Sequence, residues 1–322
     1  MNWPVVAIEL ALCGWIAVLL ISDALLAPRV AGREHDGHPR RLWSLAMLGI
    51  GVLAGVLGWQ SRWLGQSFGS MFVFDGFAAA FKWLFLITAA VVIAMMRRLG
   101  PSAITHLGEF YLLIYSALLG MLVLASVNDL LLLFIGLELL TFSLYVMAAY
   151  VKTDPRSIEA GMKYLIMGSV SSGFLVYGIS LLYGAAGGTG FEALRALLAF
   201  GPVGPNVLAG LFLVLAGLGF KVAAVPFHLW VPDVYEGAPT PVVALLSVGS
   251  KMAGMLVLLR LLYSVALPLQ AVWTAVLAAL YSHVHAGAPR FVEAAASGRD
   301  SAQLESRWRL ERPNLRAPGR PS

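Results

Sequence analysis

Four ionisable side chains in this chain need explaining, because they stand in long apolar runs: Glu138, Lys163, Lys221 and Lys251. A charge at the centre of a bilayer costs roughly 2.5–3.5 kcal/mol on insertion scales, so a residue held there defaults to a functional hypothesis. Lys221 has the most unusual setting, Gly217-Leu-Gly-Phe-Lys221-Val-Ala-Ala-Val-Pro226, where glycines and a proline interrupt the run. His228 follows two residues after Pro226, and the interruption continues through Pro232 and Pro239 to Pro241. A broken helix is tolerated in a membrane only where neighbours or water satisfy the freed backbone groups. A lysine beside such a break therefore marks a polar site inside a bundle. The chemistry open to these residue types is proton relay. Burial disfavours the charged form of a lysine or a glutamate, and a nearby opposite charge restores it. A Glu–Lys pair whose separation changes can load and release a proton without a metal.

Each residue also has a structural reading. Glu138 lies mid-run in Leu-Phe-Ile-Gly-Leu-Glu138-Leu-Leu-Thr, and can be a carboxylate hydrogen-bonded across helices. Lys251, in Ser247-Val-Gly-Ser-Lys251-Met-Ala-Gly, is far from either end of its run, so its ammonium has no short path to the interface. Lys163 is near the start of a run and can snorkel. Arg260 and Glu109 lie near run ends, where the structural reading wins. A lone histidine is more often structural, but His228 adjoins the helix break, so both readings stay open for it.

The elements that must position these residues are transmembrane helices. Apolar runs of spanning length predict about nine of them, near 5–27, 42–60, 76–96, 108–126, 130–150, 160–184, 206–230, 239–263 and 266–282. The first run has no preceding basic residue, as a signal peptide would need, and it reads as a first transmembrane helix. Loops 28–41, 97–107 and 151–159 carry Arg29, Arg33, Arg40, Arg41, Arg97, Arg98, Lys152 and Arg156. The alternate loops offer only Arg62 and Arg195. By the positive-inside rule the first set is cytoplasmic. The N-terminus is then outside, in a protein that crosses the membrane many times. The Gly- and Pro-rich loop 184–205 encloses Phe191–Phe200, a short interfacial helix or ordinary loop. From residue 283 the chain holds seven Arg, no Lys and no hydrophobic periodicity. That composition predicts a disordered basic tail over 283–322.

Composition agrees. Of 322 residues, 59% are hydrophobic and 12% charged, and the mean hydropathy is +0.82. Soluble domains carry about 25% charged residues. The net charge of +5 sits in loops and tail, so it implies membrane topology and no nucleic-acid partner. Cys13 alone makes neither an intramolecular disulfide nor a cysteine metal site. No nucleotide, haem or iron–sulfur motif is present, and no bound cofactor or metal is expected for this chain.

With these residues in place the chain resembles a known family. Phe220-Lys221-Val-Ala-Ala-Val-Pro226-Phe-His228-Leu-Trp230-Val-Pro232-Asp233-Val-Tyr235-Glu236-Gly237-Ala-Pro239-Thr240-Pro241, followed by Ser247-Val-Gly-Ser250-Lys251, is similar to the antiporter-like membrane subunits of bacterial NADH–quinone oxidoreductase (respiratory complex I), in their N form. Asn128-Asp129-Leu, Gly136-Leu-Glu138-Leu, Glu159-Ala-Gly-Met-Lys163-Tyr-Leu and Gly168-Ser-Val-Ser-Ser-Gly173 carry the resemblance upstream. It covers roughly residues 1–280. It implies an all-α polytopic bundle: three N-terminal helices (1–100), an antiporter-like five-helix repeat with a broken seventh helix (101–265), a ninth helix (266–282) and the tail (283–322). It implies that Glu138 pairs with Lys221, that Lys163 lies near them, and that Lys251 lies on a central hydrophilic axis. It further implies proton translocation coupled to quinone reduction. NADH, FMN, iron–sulfur clusters and quinone would be used elsewhere in the complex. The implied partners are the M and L antiporter-like subunits, small membrane subunits and the lipid bilayer. The family has a second inverted repeat, and this resemblance ends in the ninth helix. The expectation is a truncated or frameshifted product. Two alternatives stay open: a subunit of a cation/proton antiporter or membrane hydrogenase, and a non-pumping fragment.

Overall fold

The computed structural model describes residues 2–26, 38–104, 106–201, 203–224, 227–270 and 273–274. The chain divides into two compact units, Met1–Leu269 and Gln270–Ser322. In the second unit the described residues are Gln270, Trp273 and Thr274, which are helical. The expected ninth helix lies mostly outside the described residues, and its described beginning, Leu267–Leu269, is a 3-10 turn. The expected tail over 283–322 lies wholly outside them.

The first unit is a helix bundle. Its elements are α1 (Ala7–Leu26), α2 (His38–Gln60), β1 (Gly65–Ser67), β2 (Phe72–Phe74), α3 (Gly76–Ala103), α4 (Leu107–Ala125), α5 (Leu130–Ala148), α6 (Pro155–Ala186), α7 (Phe191–Phe200), α8 (Pro205–Val222), α9 (Val231–Gly237), α10 (Thr240–Ala244), a π-helical segment (Leu245–Ser250) and α11 (Lys251–Ser264). Among the described residues, eight helical spans are long and apolar enough to cross a membrane, with Thr240–Ser264 counted as one. One expectation changes: the seventh span, expected over 206–230, ends at Val222. The stretch Phe191–Phe200, open between helix and loop in the sequence, is a helix.

The ends of these helices follow from local chemistry. Asp129 caps α5, its Oδ1 accepting from the backbone N–H groups of Leu131 and Leu132 at 2.8 and 3.2 Å. Such a cap satisfies donors that no helical carbonyl reaches. The other carboxylate oxygen of Asp129 accepts from the Thr189 hydroxyl at 2.7 Å. Asn128 donates to the Ser70 carbonyl at 2.8 Å, in the turn of an antiparallel hairpin with Gly65 opposite Phe74. The loops at this end of the bundle are therefore tied together by two adjacent polar residues. The hairpin itself was not expected, because three-residue strands leave almost no alternation to read.

Helix α6 packs most extensively on α8. A Cβ on Gly178 would stand 2.8 Å from the Gly210 carbonyl oxygen, and one on Gly217 would stand 2.9 Å from Leu175 Cβ. Small residues let the two backbones approach, the device that replaces hydrophobic driving force between helices in lipid. The outer faces present Leu20, Ile21, Ile87, Phe142, Val170 and Phe212. This is a multi-pass membrane protein with its apolar surface turned outward and a few charges inside.

Candidate functional site

The polar interior centres on the end of α8. Lys221 lies in its last turn and is 3% exposed. The helix stops because Ala223 adopts the left-handed conformation, φ 58° and ψ 40°. The N–H groups of Ala223 and Ala224 return to the carbonyls of Phe220 and Gly219, at 3.1 and 2.8 Å. A left-handed cap normally falls to glycine, and a non-glycine residue there costs roughly 1–2 kcal/mol. The break is thus maintained against a local preference, as at sites whose surroundings over-determine the backbone. A cation in the last turn also complements the negative end of the helix dipole.

The side chain of Lys221 crosses to α5. Its Nζ donates to Thr141 Oγ1 at 3.3 Å and lies 3.8 Å from Glu138 Oε1. Glu138 and Thr141 are three residues apart on one helix, so both face α8. The same Glu138 oxygen accepts from the Ser172 hydroxyl of α6 at 2.5 Å. Glu138 is therefore shared between a neutral donor and a cation. Its side chain is 32% exposed, against 2% for that of Lys221. The carboxylate reaches outward while the ammonium is enclosed.

An aromatic stack closes the break. Trp230 stacks on Tyr164 with centroids 4.7 Å apart, and donates from Nε1 to the Phe220 carbonyl at 3.3 Å. That bond satisfies a carbonyl freed by the helix end. Tyr164 meets Tyr145 edge-on at 4.7 Å, and Trp230 meets Tyr235 at 6.4 Å. Lys221 Nζ lies 5.9 Å from the Tyr145 ring centre, and Lys251 Nζ lies 5.3 Å from that of Tyr235. The aromatic side chains therefore form a continuous contact from one lysine to the other. The hydroxyls of Tyr145 and Tyr235 are buried without a hydrogen-bond partner among the described residues. Buried hydroxyls of that kind call for an explanation, and ordered water is the usual one.

Lys251 starts α11, immediately after the π-helical Leu245–Ser250. π-helical segments within a span concentrate at functional sites. Lys163 is elsewhere: its Nζ contacts Glu159 Oε1 and Asp233 Oδ2, both at 2.9 Å, with 43% of its side chain exposed. It links α6 to the first turn of α9, and so anchors the segment beyond the break. His228 is exposed in the turn Phe227–Trp230. The structure thus brings Glu138 and Lys221 together, joins Lys251 to them through aromatic rings, and sets Lys163 and His228 apart.

Several residues were not singled out by their sequence. Thr141, Ser172, Tyr145, Tyr164 and Tyr235 complete the site, and in sequence they are ordinary polar members of apolar helices. A second buried pair was also passed over. Lys82 Nζ of α3 donates to Glu9 Oε1 of α1 at 2.6 Å, with Lys82 fully buried and Glu9 8% exposed. Arg260, expected to be structural, pairs with Asp75 at 2.8 Å. Listing every titratable residue inside every apolar run would have found Glu9 and Lys82. Among the described residues no group of His, Cys, Asp and Glu is placed to hold a metal.

Residues 126–286 match the family model described as NADH:quinone oxidoreductase/Mrp antiporter, TM. The chain is 47% identical over 207 residues to NADH-quinone oxidoreductase subunit N of Chlorobium chlorochromatii, covering 63% of this chain and 40% of the relative. It is 40% identical over 285 residues to subunit N 2 of Roseiflexus castenholzii, covering 87% and 55%. In structure it is similar to a chain of Thermus thermophilus respiratory complex I with bound aureothin: TM-score 0.65, 32% identity, 79% of this chain and 52% of that one. A chain of the Mrp complex from Dietzia sp. DQ12-45-1b shares the fold, with TM-score 0.66 at 17% identity, over 81% of this chain and 49% of that one. The chain spans about half the length of the curated relatives it matches.

Proposed function

We propose, from the premise that this chain belongs to the NADH:quinone oxidoreductase/Mrp antiporter transmembrane family and to its subunit N branch, that Lys221 is the proton-carrying switch of this bundle. Glu138 sets its charge state and Lys251 takes the proton onward. The assembled enzyme couples quinone reduction by NADH to proton translocation. The NADH-, flavin- and iron–sulfur-dependent steps belong to other subunits. The M- and L-type antiporter-like subunits and small membrane subunits are its neighbours in a bacterial inner membrane, with the N-terminus periplasmic. An antiporter role has less support, since the likeness to the Mrp chain is one of fold, at 17% identity.

The observation that carries the reading is the enclosed Lys221 at a helix break, 3.8 Å from Glu138. At an effective dielectric of about 20, two unit charges at that distance attract by about 4 kcal/mol. Doubling the separation removes about 2 kcal/mol, which shifts a proton equilibrium by roughly 30-fold. The two partners of the shared Glu138 oxygen supply the means. When the carboxylate swings toward Ser172, Lys221 loses its counter-charge and releases its proton. When it swings back, Lys221 is reloaded. The proton is handed along waters held by the hydroxyls of Tyr145 and Tyr235 toward Lys251. The aromatic stack excludes other water, and Lys163 holds α9 so that the break keeps its shape.

The test is proton translocation and quinone reduction in proteoliposomes, using the complex assembled with this chain. Lys221→Ala should abolish most pumping attributable to this subunit. Lys221→Arg should also impair it, because arginine does not release its proton. Lys163→Ala should have a smaller effect. Normal pumping by Lys221→Arg would exclude a protonation switch at this position.

A further inference from the structure

At the end of the bundle opposite the hairpin, α2, α3 and α4 enclose a groove of about 140 Å³. Arg40 and Arg97 stand at its mouth, and Trp43, Ser44, Met96 and Tyr111 line it. Among the described residues neither arginine makes an ion pair. The Arg97 guanidinium lies 5.0 Å from the centre of the Trp43 ring, and Trp43 donates from Nε1 to the Ile93 carbonyl at 2.9 Å. Trp43 is thus fixed to α3, and the guanidinium rests on its face with its donors unpaired. Tyr111 forms part of the buried wall, 1% exposed. Two unpaired arginines over one groove form a recognition site for a phosphate, which a guanidinium can bind with two parallel N–H donors.

The surface below the groove selects among phosphates. Ser44 lines the groove, and Leu48 and Val52 follow it at one-turn spacing on the same face of α2. Both are exposed, at 58% and 42%. A phosphate held by Arg40 and Arg97 therefore sits at the head of an exposed apolar stripe running into the depth of the span. That is the outline of a lipid with its headgroup up and acyl chain down. Basic pockets between transmembrane helices are known places for anionic headgroups, and tryptophan favours the headgroup level. Among the described residues, the acidic ones nearest in the chain, Asp23 and Glu109, are otherwise placed. Asp23 would collide with a Cβ on Gly108, at 1.9 Å, and Glu109 accepts from Tyr150 at 3.2 Å. We propose that this groove is a binding site for one anionic phospholipid, its phosphate held between Arg40 and Arg97 and its acyl chain lying along Leu48 and Val52.

Native mass spectrometry of the full chain in detergent tests this, with dioleoyl phosphatidylglycerol, dioleoyl phosphatidylcholine and inorganic phosphate as probes. The expected result is one retained phosphatidylglycerol, with phosphatidylcholine bound at least tenfold more weakly and millimolar phosphate unable to displace the lipid. Arg40→Gln/Arg97→Gln should weaken phosphatidylglycerol binding by about 30-fold, from roughly fivefold for each basic residue near the surface. Arg62→Gln/Arg195→Gln, which removes charges at the other end, should leave it unchanged. Equal retention of the two lipids by the unmodified chain would overturn the proposal whether or not the variant folds. So would displacement by inorganic phosphate, which would make the groove a free-ion site. Undiminished binding by a folded double variant would overturn it as well.

Discussion

Replacing Glu138 by Gln keeps the shape of the side chain and an oxygen for Ser172, and removes only the charge opposite Lys221. The ammonium would keep its 3.3 Å bond to Thr141 and the ring faces of Tyr145 and Phe220, at 5.9 and 5.8 Å, as its remaining partners. Breaking a buried pair by removing one partner costs about 3–5 kcal/mol. The Coulomb attraction at 3.8 Å gives about 4 kcal/mol by a separate route. Glu138 is one-third exposed and keeps part of its interaction with its surroundings. The expected loss is therefore at or below the lower end of that range, about 2–3 kcal/mol. For a chain of this size that is a fall in melting temperature of about 3–5 °C, read by thermal unfolding in detergent. The double variant Glu138→Gln/Lys221→Met removes both charges and should recover most of the loss. The interaction energy of the cycle should be at least 1.5 kcal/mol, within the range for residues in contact. A cycle energy below about 0.5 kcal/mol, or an unchanged melting temperature for Glu138→Gln, would show that the charges do not act on each other.

Three further outcomes follow from the packing and topology. Lys82→Met should cost about 3–5 kcal/mol by stranding Glu9, whereas Glu9→Leu/Lys82→Met should come within about 1 kcal/mol of the unmodified chain or exceed it; equal losses in both variants would mean that packing volume and not charge decides the site. Gly217→Ala should cost about 1–3 kcal/mol because its Cβ would meet Leu175 Cβ at 2.9 Å and the Ser171 carbonyl oxygen at 3.1 Å; a neutral result in thermal unfolding would mean that α6 and α8 separate easily. In a Cys13→Ser background, Arg62→Cys should react with an impermeant maleimide added outside intact cells and Arg97→Cys should not; the reverse pattern would invert the topology.

Much of the bundle was legible because a transmembrane span is written in a single quantity, a run of apolar residues long enough to cross hydrocarbon. The run predicted over 130–150 is α5, Leu130–Ala148, and its start is marked by the capping Asp129. The polar interior was legible in part. Lys221 and Glu138 stand out as charges where charge is costly, but nothing in the sequence says that Thr141 and Ser172 share their pair. Hydroxyls are cheap to place in a helix, where they bond to a carbonyl one turn back, as Thr141 does with Leu137. The helix break was read from the glycines and Pro226, whereas the observed turn is made at Ala223, a residue with no preference for the left-handed region. Tertiary contacts supply that conformation: Trp230 against Phe220, and Phe227 packed where a Cβ on Gly219 would lie, at 3.0 Å. Lys82 and Glu9 went unnoticed for a related reason. Each is an isolated charge near the start of a run, where snorkelling is the easy reading, and only the fold brings two such charges within 2.6 Å.

The central claim is that Lys221 changes protonation state during turnover. Nitrogen NMR of lysine side chains in the assembled complex, labelled at Nζ and held in membranes, observes this directly. The Lys221 resonance is assigned by its loss in Lys221→Arg. The account predicts that quinone reduction moves part of the Lys221 population from ammonium to neutral amine, and that Glu138→Gln changes the proportion. An Lys221 that stays ammonium throughout turnover, while the complex pumps normally, would contradict it.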